Sequence, residues 1–507
     1  MEKNCTAYLK KVLMVFLLFV LFVPLLNGTK QVIAESAPSI NTEMNGQPGD
    51  QVITSVQTMK TLVKRFKEEG NITNDKAARK MQMHLAAIEQ FNEDGNNNKA
   101  VKHLKGFKNL IAYQKDNGSI SEKAYNVLKS DAEYLIQEMN KGDDAIVAGY
   151  WTGDEKLENF PAKKLTHINY AFAYVNKEGK SELYPGAEKD IKELNTYKEN
   201  HPHIKSLISI GGWGKNSKYF SDVAATSKSR ETFARSTINK FIKKNQFDGI
   251  DLDWEFPVKG GIDELHYSPE DKRNLTLLVK EFRDQLDQLE KKKNRDYLLT
   301  AATPAGRYQN GGPYDPADSY EFEELSKYLD WIYVMTYDLA NGFSPVTNFN
   351  TPMQPVDADP TPNNIKKWNN VSGAIKYYQQ KGVPRNKIVL GTAFYGRSFE
   401  VSNSANHGLY QEYKSTGPSP SWEDIKKDYL TDLDWKKYWH STAEVPWLFN
   451  SRTNMFLTYD NPESISKKGH YINEHNLRGG MIWTIGHDDK EHNLLKSLAN
   501  PVLEDNR

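Results

Sequence analysis

The chain has 507 residues and carries 66 basic and 66 acidic side chains, so its formal net charge is zero. This balance argues against a nucleic-acid or membrane-surface binding protein, because both classes usually show a basic excess. The length favours more than one domain, and a hydrophobic content of 38% is enough to build a core at this size.

The N-terminus has the pattern of a secretory signal peptide. Three lysines among the first eleven residues precede an apolar run over residues 12–26, and residues 32–34 offer small side chains for cleavage. The run is too short to span a bilayer comfortably, which disfavours an uncleaved signal anchor. We therefore expect residues 1–34 to be removed, leaving a secreted protein with a net charge of −3 and no stable membrane association.

The only cysteine, Cys5, lies within the predicted signal peptide. The mature protein would therefore contain no disulfide and no thiol chemistry, and a secreted chain of this size can bury a sufficient core without disulfides. Because cysteine-free secreted proteins are common in Gram-positive bacteria, we expect such a source. Association with the cell surface is compatible with this expectation.

Residues 38–142 are predicted to form a small all-α bundle. Apolar residues recur at spacings of three and four in four successive stretches, and short Gly- and Asn-containing turns separate these stretches. Four helices with short loops favour an antiparallel bundle. We expect its apolar stripes to pack inside and its Lys and His residues to form a solvated face. All ten tryptophans lie at or after Trp151, which places a domain boundary near residues 141–144.

Residues 146–500 show a different pattern, in which short β-rich runs alternate with segments of helical length. Eight β-α units of this kind predict a closed parallel (β/α)8 barrel, the TIM-barrel fold of the α/β class. The connection between strands seven and eight is too long for a simple crossover, and we expect an inserted α+β subdomain at about residues 398–469. The predicted strands are Ile146–Trp151, Leu165–Asn176, Lys205–Gly212, Phe247–Phe256, Tyr297–Thr303, Trp331–Asp338, Lys387–Phe394 and Gly479–Ile485.

The fourth predicted strand carries three acidic residues at alternate positions, Asp251, Asp253 and Glu255. Side chains alternate faces along a strand, so the three carboxyl groups share one face, which in a barrel points inward. Glu255 would then lie highest, at the C-terminal end where barrel enzymes have their active sites. Asp248 breaks the alternation, and we interpret it as structural.

A buried row of three carboxyl groups predicts raised pKa values, because each group loses hydration and repels its neighbours. Such groups suit general acid catalysis. The alternatives are an exposed acidic edge strand, which the apolar flanking residues disfavour, and a Mg²⁺ or Ca²⁺ site. The sequence shows no further carboxylate or His cluster near the motif, so neither a metal nor an organic cofactor is implied.

The motif from Asp248 to Glu255 resembles the D-G-x-D-x-D-x-E signature of glycoside hydrolase family 18, at every position and on the same strand of the barrel. Further matches cover most of residues 146–495. They are Tyr150, Phe172, Ser209, Gly211, Gly212, Met335, Thr336, Tyr337, Asp338, Tyr395, Gly396, Arg397 and Trp483.

The resemblance implies hydrolysis of chitin or N-acetylglucosamine oligosaccharides by a substrate-assisted retaining mechanism. Glu255 would protonate the leaving oxygen, and the 2-acetamido carbonyl of the substrate would form an oxazolinium ion. Asp253 would hold the acetamido N–H and share a proton with Asp251. Tyr337 would bond the acetamido carbonyl, and Asp338 would help to hold the distorted sugar.

The remaining matches imply contacts around this centre. Tyr150 and Ser209 would contact Asp251, and Trp483 would form the floor of the cleavage subsite by stacking on a sugar face. Further matched positions are expected to line the same site: Phe172, Met335, Tyr395, Gly212 and Arg397. The resemblance also implies cis peptides at Glu255–Phe256 and Trp483–Thr484. Many relatives have Glu after the strand-eight Trp where this chain has Thr484, which alternation turns away from the cleft.

The predicted bundle resembles the FIMAH modules of secreted bacterial polysaccharide-active enzymes, through its stripe pattern and the run AVKHLKGFKNLI at residues 100–111. This implies an accessory role. Two other functions stay open: hydrolysis of another N-acetylglucosamine glycan, such as peptidoglycan or an N-glycan core, and chitin binding without catalysis. The complete acidic motif disfavours the second, and we expect a monomer.

Overall fold

The computed structural model describes residues 55–93, 97–141, 145–307 and 315–504. The predicted signal peptide at residues 1–34 and the start of the predicted bundle lie outside these residues. Within them, no helix is both long enough and apolar enough to cross a membrane.

Four helices form the N-terminal bundle, as predicted. Ser55 caps the first helix by accepting a hydrogen bond from the backbone N–H of Thr58 at 3.0 Å. The apolar stripes are buried, with Met59, Leu85 and Phe107 fully inaccessible to solvent. The helices are α1 (Val56–Glu68), α2 (Asp75–Glu93), α3 (Asn97–Asp116) and α4 (Glu122–Lys141).

The eight predicted barrel strands are all present, and they form a closed parallel barrel. Closure follows from the pairing of the first strand with both the last and the second. A short strand, β3 (Ser181–Leu183), adds an antiparallel hairpin to the second barrel strand. The barrel strands are β1 (Ile146–Trp151), β2 (His167–Val175), β4 (Lys205–Gly211), β5 (Gly249–Asp253), β6 (Leu298–Pro304), β7 (Trp331–Met335), β8 (Ile388–Ala393) and β14 (Gly479–Trp483).

Helices surround the barrel on its outer side and alternate with its strands. Their bounds are α5 (Ala187–Asn200), α6 (Phe220–Ala225), α7 (Ser227–Thr237), α8 (Asp271–Lys293), α9 (Pro316–Ser319), α10 (Phe322–Tyr328), α11 (Asn363–Lys366), α12 (Val371–Gln380), α14 (Pro462–Glu474) and α15 (Asn493–Glu504).

A five-stranded antiparallel sheet lies between β8 and β14 in the chain, where the sequence predicts an α+β insertion. Its strands are β9 (Arg397–Val401), β10 (Tyr413–Thr416), β11 (Trp435–His440), β12 (Val445–Asn450) and β13 (Met455–Thr458). Their order in the sheet is β10-β9-β13-β12-β11. A short helix, α13 (Trp422–Asp424), accompanies the sheet.

Several strands end earlier than their apolar runs predict, and the difference matters most at β5. The predicted strand reached Phe256, but ladder pairing ends at Asp253, opposite Gly211 of β4. Glu255 therefore lies two residues beyond the strand, in the loop at the barrel mouth. Its backbone N–H donates to the Ser217 hydroxyl at 3.1 Å instead of to a strand.

The two faces of β5 separate as predicted. Ile250, Leu252 and Trp254 pack in the core between the barrel and its helices, whereas Asp251 points inside the barrel. Asp248, which breaks the alternation, forms ion pairs with Lys198 at 2.6 Å and with Arg295. Burial alone would raise the pKa of Asp248, but these two cations hold it below its usual value. Asp248 thus anchors the start of β5 to its surroundings.

Candidate active site

Asp251 lies at the centre of the barrel and is completely buried. Three hydroxyl groups donate hydrogen bonds to its carboxylate, each at 2.7 Å. Tyr150 and Ser209 bond one oxygen and Thr300 bonds the other. Burial raises the pKa of Asp251, and the three hydrogen bonds partly offset this rise. Because hydroxyl donors favour the charged form, Asp251 is the member of the row best suited to carry a negative charge.

Asp253 has the opposite surroundings. It is only 3% exposed, and its Oδ1 atom has no hydrogen-bond partner among the described residues. Burial, followed by the charges of Glu255 and Asp251, raises its pKa well above the usual value. We infer that Asp253, rather than Asp251, carries a proton when no substrate is bound. Its unpartnered oxygen is an acceptor available to a ligand, since leaving a buried oxygen unpaired is costly.

Glu255 lies above both aspartates and is partly accessible from the cleft. Burial of its carboxyl group raises its pKa to about 8, and the negative charge of Asp338 adds to the effect. A carboxyl group with this pKa still carries its proton at neutral pH. Glu255 can therefore act as a proton donor where an ordinary glutamate could not.

Asp338 follows β7 and is held from the side of the insertion. Tyr395 donates its hydroxyl to Oδ1 at 2.7 Å, and Arg397 bonds both carboxylate oxygens, with Nε at 2.8 Å from Oδ1. The Asp338 backbone N–H also donates to the Asn350 side chain at 2.9 Å. A bidentate Arg–carboxylate pair fixes orientation as well as charge. The structure thus brings three predicted site residues, Asp338, Tyr395 and Arg397, into one cluster.

Aromatic side chains from neighbouring strands surround the carboxyl groups. The rings of Phe172 and Trp483 lie 5.4 Å apart and nearly parallel, at 23°, and Tyr150 lies 5.5 Å from Trp483. Trp483 and Phe172 are only partly buried, so their rings can still contact a ligand. An open aromatic surface beside buried acids is suited to the apolar face of a sugar ring.

Tyr337 completes the inner wall. It is buried, with its ring 6.3 Å from that of Tyr395. Gly391 allows this position, because a Cβ atom there would lie 3.0 Å from the Tyr337 ring. Met335 is partly buried at the end of β7 and packs in the same cluster as Tyr337.

Gly212 is present for a steric reason. Its φ angle is 85°, in the region that favours glycine, and a Cβ atom would lie 2.7 Å from the Phe172 ring. Its N–H donates to the Asp253 backbone carbonyl at 2.7 Å. Gly212 therefore positions Asp253 and the Phe172 ring through its backbone rather than through a side chain.

Two residues of the site were not predicted from the sequence. Thr300, opposite Asp251 on β6, supplies the third hydroxyl group. Ser217 donates to the Gly212 carbonyl at 3.0 Å while accepting from the Glu255 N–H. The sequence does place Thr300 on the predicted fifth strand. It does not give the register between this strand and β5, which brings Thr300 next to Asp251. Ser217 lies in a loop and gave no signal.

Among the described residues, no group of three or more His, Cys, Asp or Glu side chains is arranged to hold a metal ion. In the acidic row, Asp251 already binds three hydroxyl groups.

The family model for glycosyl hydrolases family 18 matches residues 146–488, which is more than half of the chain. The chain belongs to glycosyl hydrolases family 18. The matched segment contains every predicted site residue from Tyr150 to Trp483. A second model, for the FIMAH domain, matches residues 56–137, the segment that forms the helical bundle.

Individual similar proteins agree with this assignment. Chitinase A1 from Niallia circulans is 36% identical over 325 residues, covering 62% of this chain and 44% of that protein. Chitotriosidase-1 from Mus musculus is 30% identical over 342 residues, covering 67% of this chain and 70% of that protein. The structure of a family 18 N-acetylglucosaminidase from Paenibacillus barengoltzii superposes with a TM-score of 0.63 at 32% identity, covering 70% of this chain and 99% of that one. The chain thus spans less than half the length of chitinase A1.

The backbone of this family 18 protein has the two cis peptides that the resemblance implied. Glu255–Phe256 and Trp483–Thr484 are both cis. A third, Ala171–Phe172, was not predicted. All three lie next to side chains of the candidate active site.

Replacement of Thr300 by valine tests the hydroxyl cluster around Asp251. The variant keeps the shape but removes one of three donors, so we expect the pKa of Asp251 to rise further and kcat to fall by about tenfold, the equivalent of one hydrogen bond to a charged group. The pH profile of kcat should shift at its acidic limb, toward higher pH. Thr276→Val is the matched control, because Thr276 is also buried and its hydroxyl has no partner among the described residues. An unchanged acidic limb in Thr300→Val would contradict this role.

Proposed function

We propose that the chain is a chitinase that hydrolyses β-1,4 linkages of chitin and its oligosaccharides. The observation that carries this proposal is a buried carboxyl group, Asp253, on which the charge of Glu255 acts. Glu255 retains a proton at neutral pH, and Asp253 presents a buried oxygen without a partner. The names of two similar proteins, chitinase A1 and chitotriosidase-1, support the same substrate class.

The first step is bond cleavage with help from the substrate. Glu255 transfers its proton to the glycosidic oxygen, and the bond from that oxygen to the anomeric carbon breaks. The acetamido carbonyl oxygen of the same sugar attacks the anomeric carbon and forms a cyclic oxazolinium ion. Glycosidases of this family are among the exceptions to the scheme in which an enzyme carboxylate is the nucleophile.

Asp253 stabilises the positive charge that develops in this step. Its unpartnered oxygen accepts the acetamido N–H, and its proton passes toward Asp251 as the oxazolinium forms. Tyr337 donates its hydroxyl to the acetamido oxygen, which orients the nucleophile. Groups fixed in place where charge develops lower the barrier without reorganising during the reaction.

The second step is hydrolysis of the oxazolinium ion. Glu255, now ionised, removes a proton from a water molecule, whose oxygen attacks the anomeric carbon and opens the ring. Each of the two displacements inverts the configuration at the anomeric carbon, so the product keeps the β configuration. Glu255 ends the cycle protonated, and the acetamido group is regenerated.

The side chains around Asp251, Asp253 and Glu255 bind the sugar. Trp483 forms the floor beneath the sugar that is cleaved, with Phe172, Met335 and Tyr395 as walls. Asp338, held by Arg397, bonds the distorted sugar. Tyr150, Ser209 and Gly212 act indirectly, because they fix the positions of Asp251 and Asp253.

We also propose how the chain is organised. Residues 1–34 are a signal peptide, residues 38–142 an accessory module and residues 146–500 the catalytic barrel, with an insertion at about residues 398–469. The mature enzyme acts outside the cell as a monomer. Mass spectrometry of the secreted protein tests the cleavage site.

The proposed function is tested with three soluble hexasaccharides, of N-acetylglucosamine, glucosamine and glucose. Only the first carries the acetamido nucleophile, so we expect hydrolysis of that substrate alone, with a β-anomeric first product detected by NMR. Cleavage of the glucose oligomer, or an α-anomeric first product, would refute the mechanism. The superposition on an N-acetylglucosaminidase favours a second candidate, release of single sugars. Monosaccharide as the only early product would favour it over chitin oligosaccharide release.

The pH dependence of catalysis follows from the pKa of Glu255. The acid must be protonated, and its pKa of about 8 means that activity is lost as the pH rises through that value. We expect an alkaline limb near pH 8 in the profile of kcat/KM, which reports the free enzyme. Because the negative charge of Asp338 helps to raise this pKa, Asp338→Asn should move the limb to lower pH. Asp263→Asn, at an exposed carboxylate, is the control and should leave the limb in place.

A further inference from the structure

The outer face of helices α2 and α3 carries an unusual distribution of charge. No acidic residue occurs from Lys76 to Ile88 or from Asn97 to Lys115, although both segments are rich in lysine. Two of these lysines are neutralised on the side facing α4, where Lys108 pairs with Glu133 at 2.6 Å and Lys115 with Glu122 at 2.9 Å. The cations on the outer side of the two helices form no ion pair among the described residues, although the charge of Asp75 acts on Arg79 from the preceding turn of α2.

Five of these cations form what we call the basic face: Lys76, Arg79, Lys80, Lys102 and Lys105. All five are exposed, and none forms an ion pair within the part of the chain that the structure describes. The helices that carry them are adjacent, because His84 of α2 and His103 of α3 have ring centroids 5.7 Å apart. Residues spaced three or four apart lie on one side of a helix. The five charges therefore lie on the exposed sides of two adjacent helices.

The charges of this surface do not favour chitin as its partner. A polymer of N-acetylglucosamine is neutral, so five unpaired cations gain nothing from it by charge. The face also lacks the apolar area that insertion into a lipid bilayer needs. Its large exposed apolar or aromatic side chains are Met83, 67% exposed, and Tyr113, 63% exposed, while the apolar stripes of α2 and α3 are buried in the bundle.

We propose that the basic face binds a linear polyol phosphate polymer of the kind that carries one phosphodiester in each repeat. Lysine binds phosphate as a mobile point charge and needs no shaped pocket. Neutralising several phosphates together releases their counterions, which makes such binding strong at low salt and weak at high salt. The helical module would thereby hold the enzyme at a surface that is distinct from its substrate. This proposal does not depend on the hydrolytic function.

The test uses the whole chain on immobilised poly(glycerol phosphate), with the variant Lys102→Glu/Lys105→Glu. The control is Lys189→Glu/Lys192→Glu on α5 of the barrel, which has the same spacing, charge change and exposure. We expect wild type and control to bind at about 50 mM salt and to release at about 200 mM. The basic-face variant should bind at least tenfold more weakly. Its slope of log affinity against log salt should be smaller by about one to two. Both variants should keep the helical circular dichroism signal and the Tm of the wild type, which shows that they are folded.

Three results would overturn the proposal. The first is no binding of wild type at low salt. The second is an equal loss in the control variant, which would show that only the net charge matters. The third is binding to anionic phospholipid vesicles or to duplex DNA that is as tight as binding to the phosphate polymer, which would assign the face to one of those ligands instead.

Discussion

Replacing Glu255 with glutamine is expected to lower kcat/KM for chitin oligosaccharides by roughly 10² to 10⁴-fold, the usual contribution of a general acid and base. Glutamine has the shape of glutamic acid and, like the protonated residue, no charge. The resting site should therefore keep its geometry and its affinity for substrate. What it loses is the proton for the leaving oxygen and, in the second step, the base for water.

The nature of the leaving group provides a sharper readout for Glu255→Gln. When the substrate is an aryl glycoside, an acidic phenol can leave without full protonation. The first step then depends less on Glu255 than it does for the natural linkage. The loss of rate should therefore be much larger for the oligosaccharide than for the aryl substrate. Glu264→Gln, at an exposed acid, is the matched control. Retention of more than about a tenth of wild-type activity on oligosaccharide would exclude Glu255 as the acid.

Replacing Asp253 with alanine is expected to lower kcat by about 10² to 10³-fold, similar to the loss of a fixed group that stabilises charge in a transition state. The oxazolinium charge exists only after the bond begins to break, so KM should change far less than kcat. Asp253→Asn keeps an acceptor oxygen for the acetamido N–H but removes the charge, and it should fall between alanine and wild type. Equal losses in kcat and affinity would indicate ground-state binding instead.

The same Asp253→Asn variant should be more stable than the wild type at neutral pH. The pKa of Asp253 is raised in the folded protein, so between its unfolded and folded pKa values the folded state binds more protons than the unfolded state. Stability then falls as the pH rises above about 4. Asparagine removes this penalty, and Tm should rise and become less dependent on pH. A lower Tm for Asp253→Asn would contradict the inferred burial of a protonated carboxyl group.

The sequence predicted those parts of the fold that depend on local pattern. Period-two alternation at Ile250–Asp253 assigned each side chain to the correct face, and eight β-rich runs defined the barrel. The ends of strands were less accurate, because an apolar run does not show where pairing with the neighbours stops. For this reason the sequence predicted Glu255 on the strand, whereas in the structure Glu255 follows the end of β5.

The residues that sequence analysis missed depend on contacts between distant segments. Thr300 reaches Asp251 because β5 and β6 pair in one particular register, and Ser217 reaches Glu255 from a loop. Neither relation has a local signature. Asp338 and Arg397 were predicted separately as sugar contacts through the resemblance, but their mutual ion pair appears only when the insertion is folded beside β7.

The insertion between β8 and β14 has consequences for folding and for local stability. Its first and last strands pair with each other, so that Arg397 stands opposite Thr458 and the chain leaves the sheet where it entered. The insertion therefore closes its own loop. Pairing of the following barrel strand with β8 then has a low entropic cost, because the entropy of loop closure grows only slowly with loop length. Because Arg397 belongs to the strand that closes this loop, local unfolding of the sheet would break its ion pair with Asp338 while the barrel is still intact. We therefore expect activity to disappear at a lower denaturant concentration than the barrel itself.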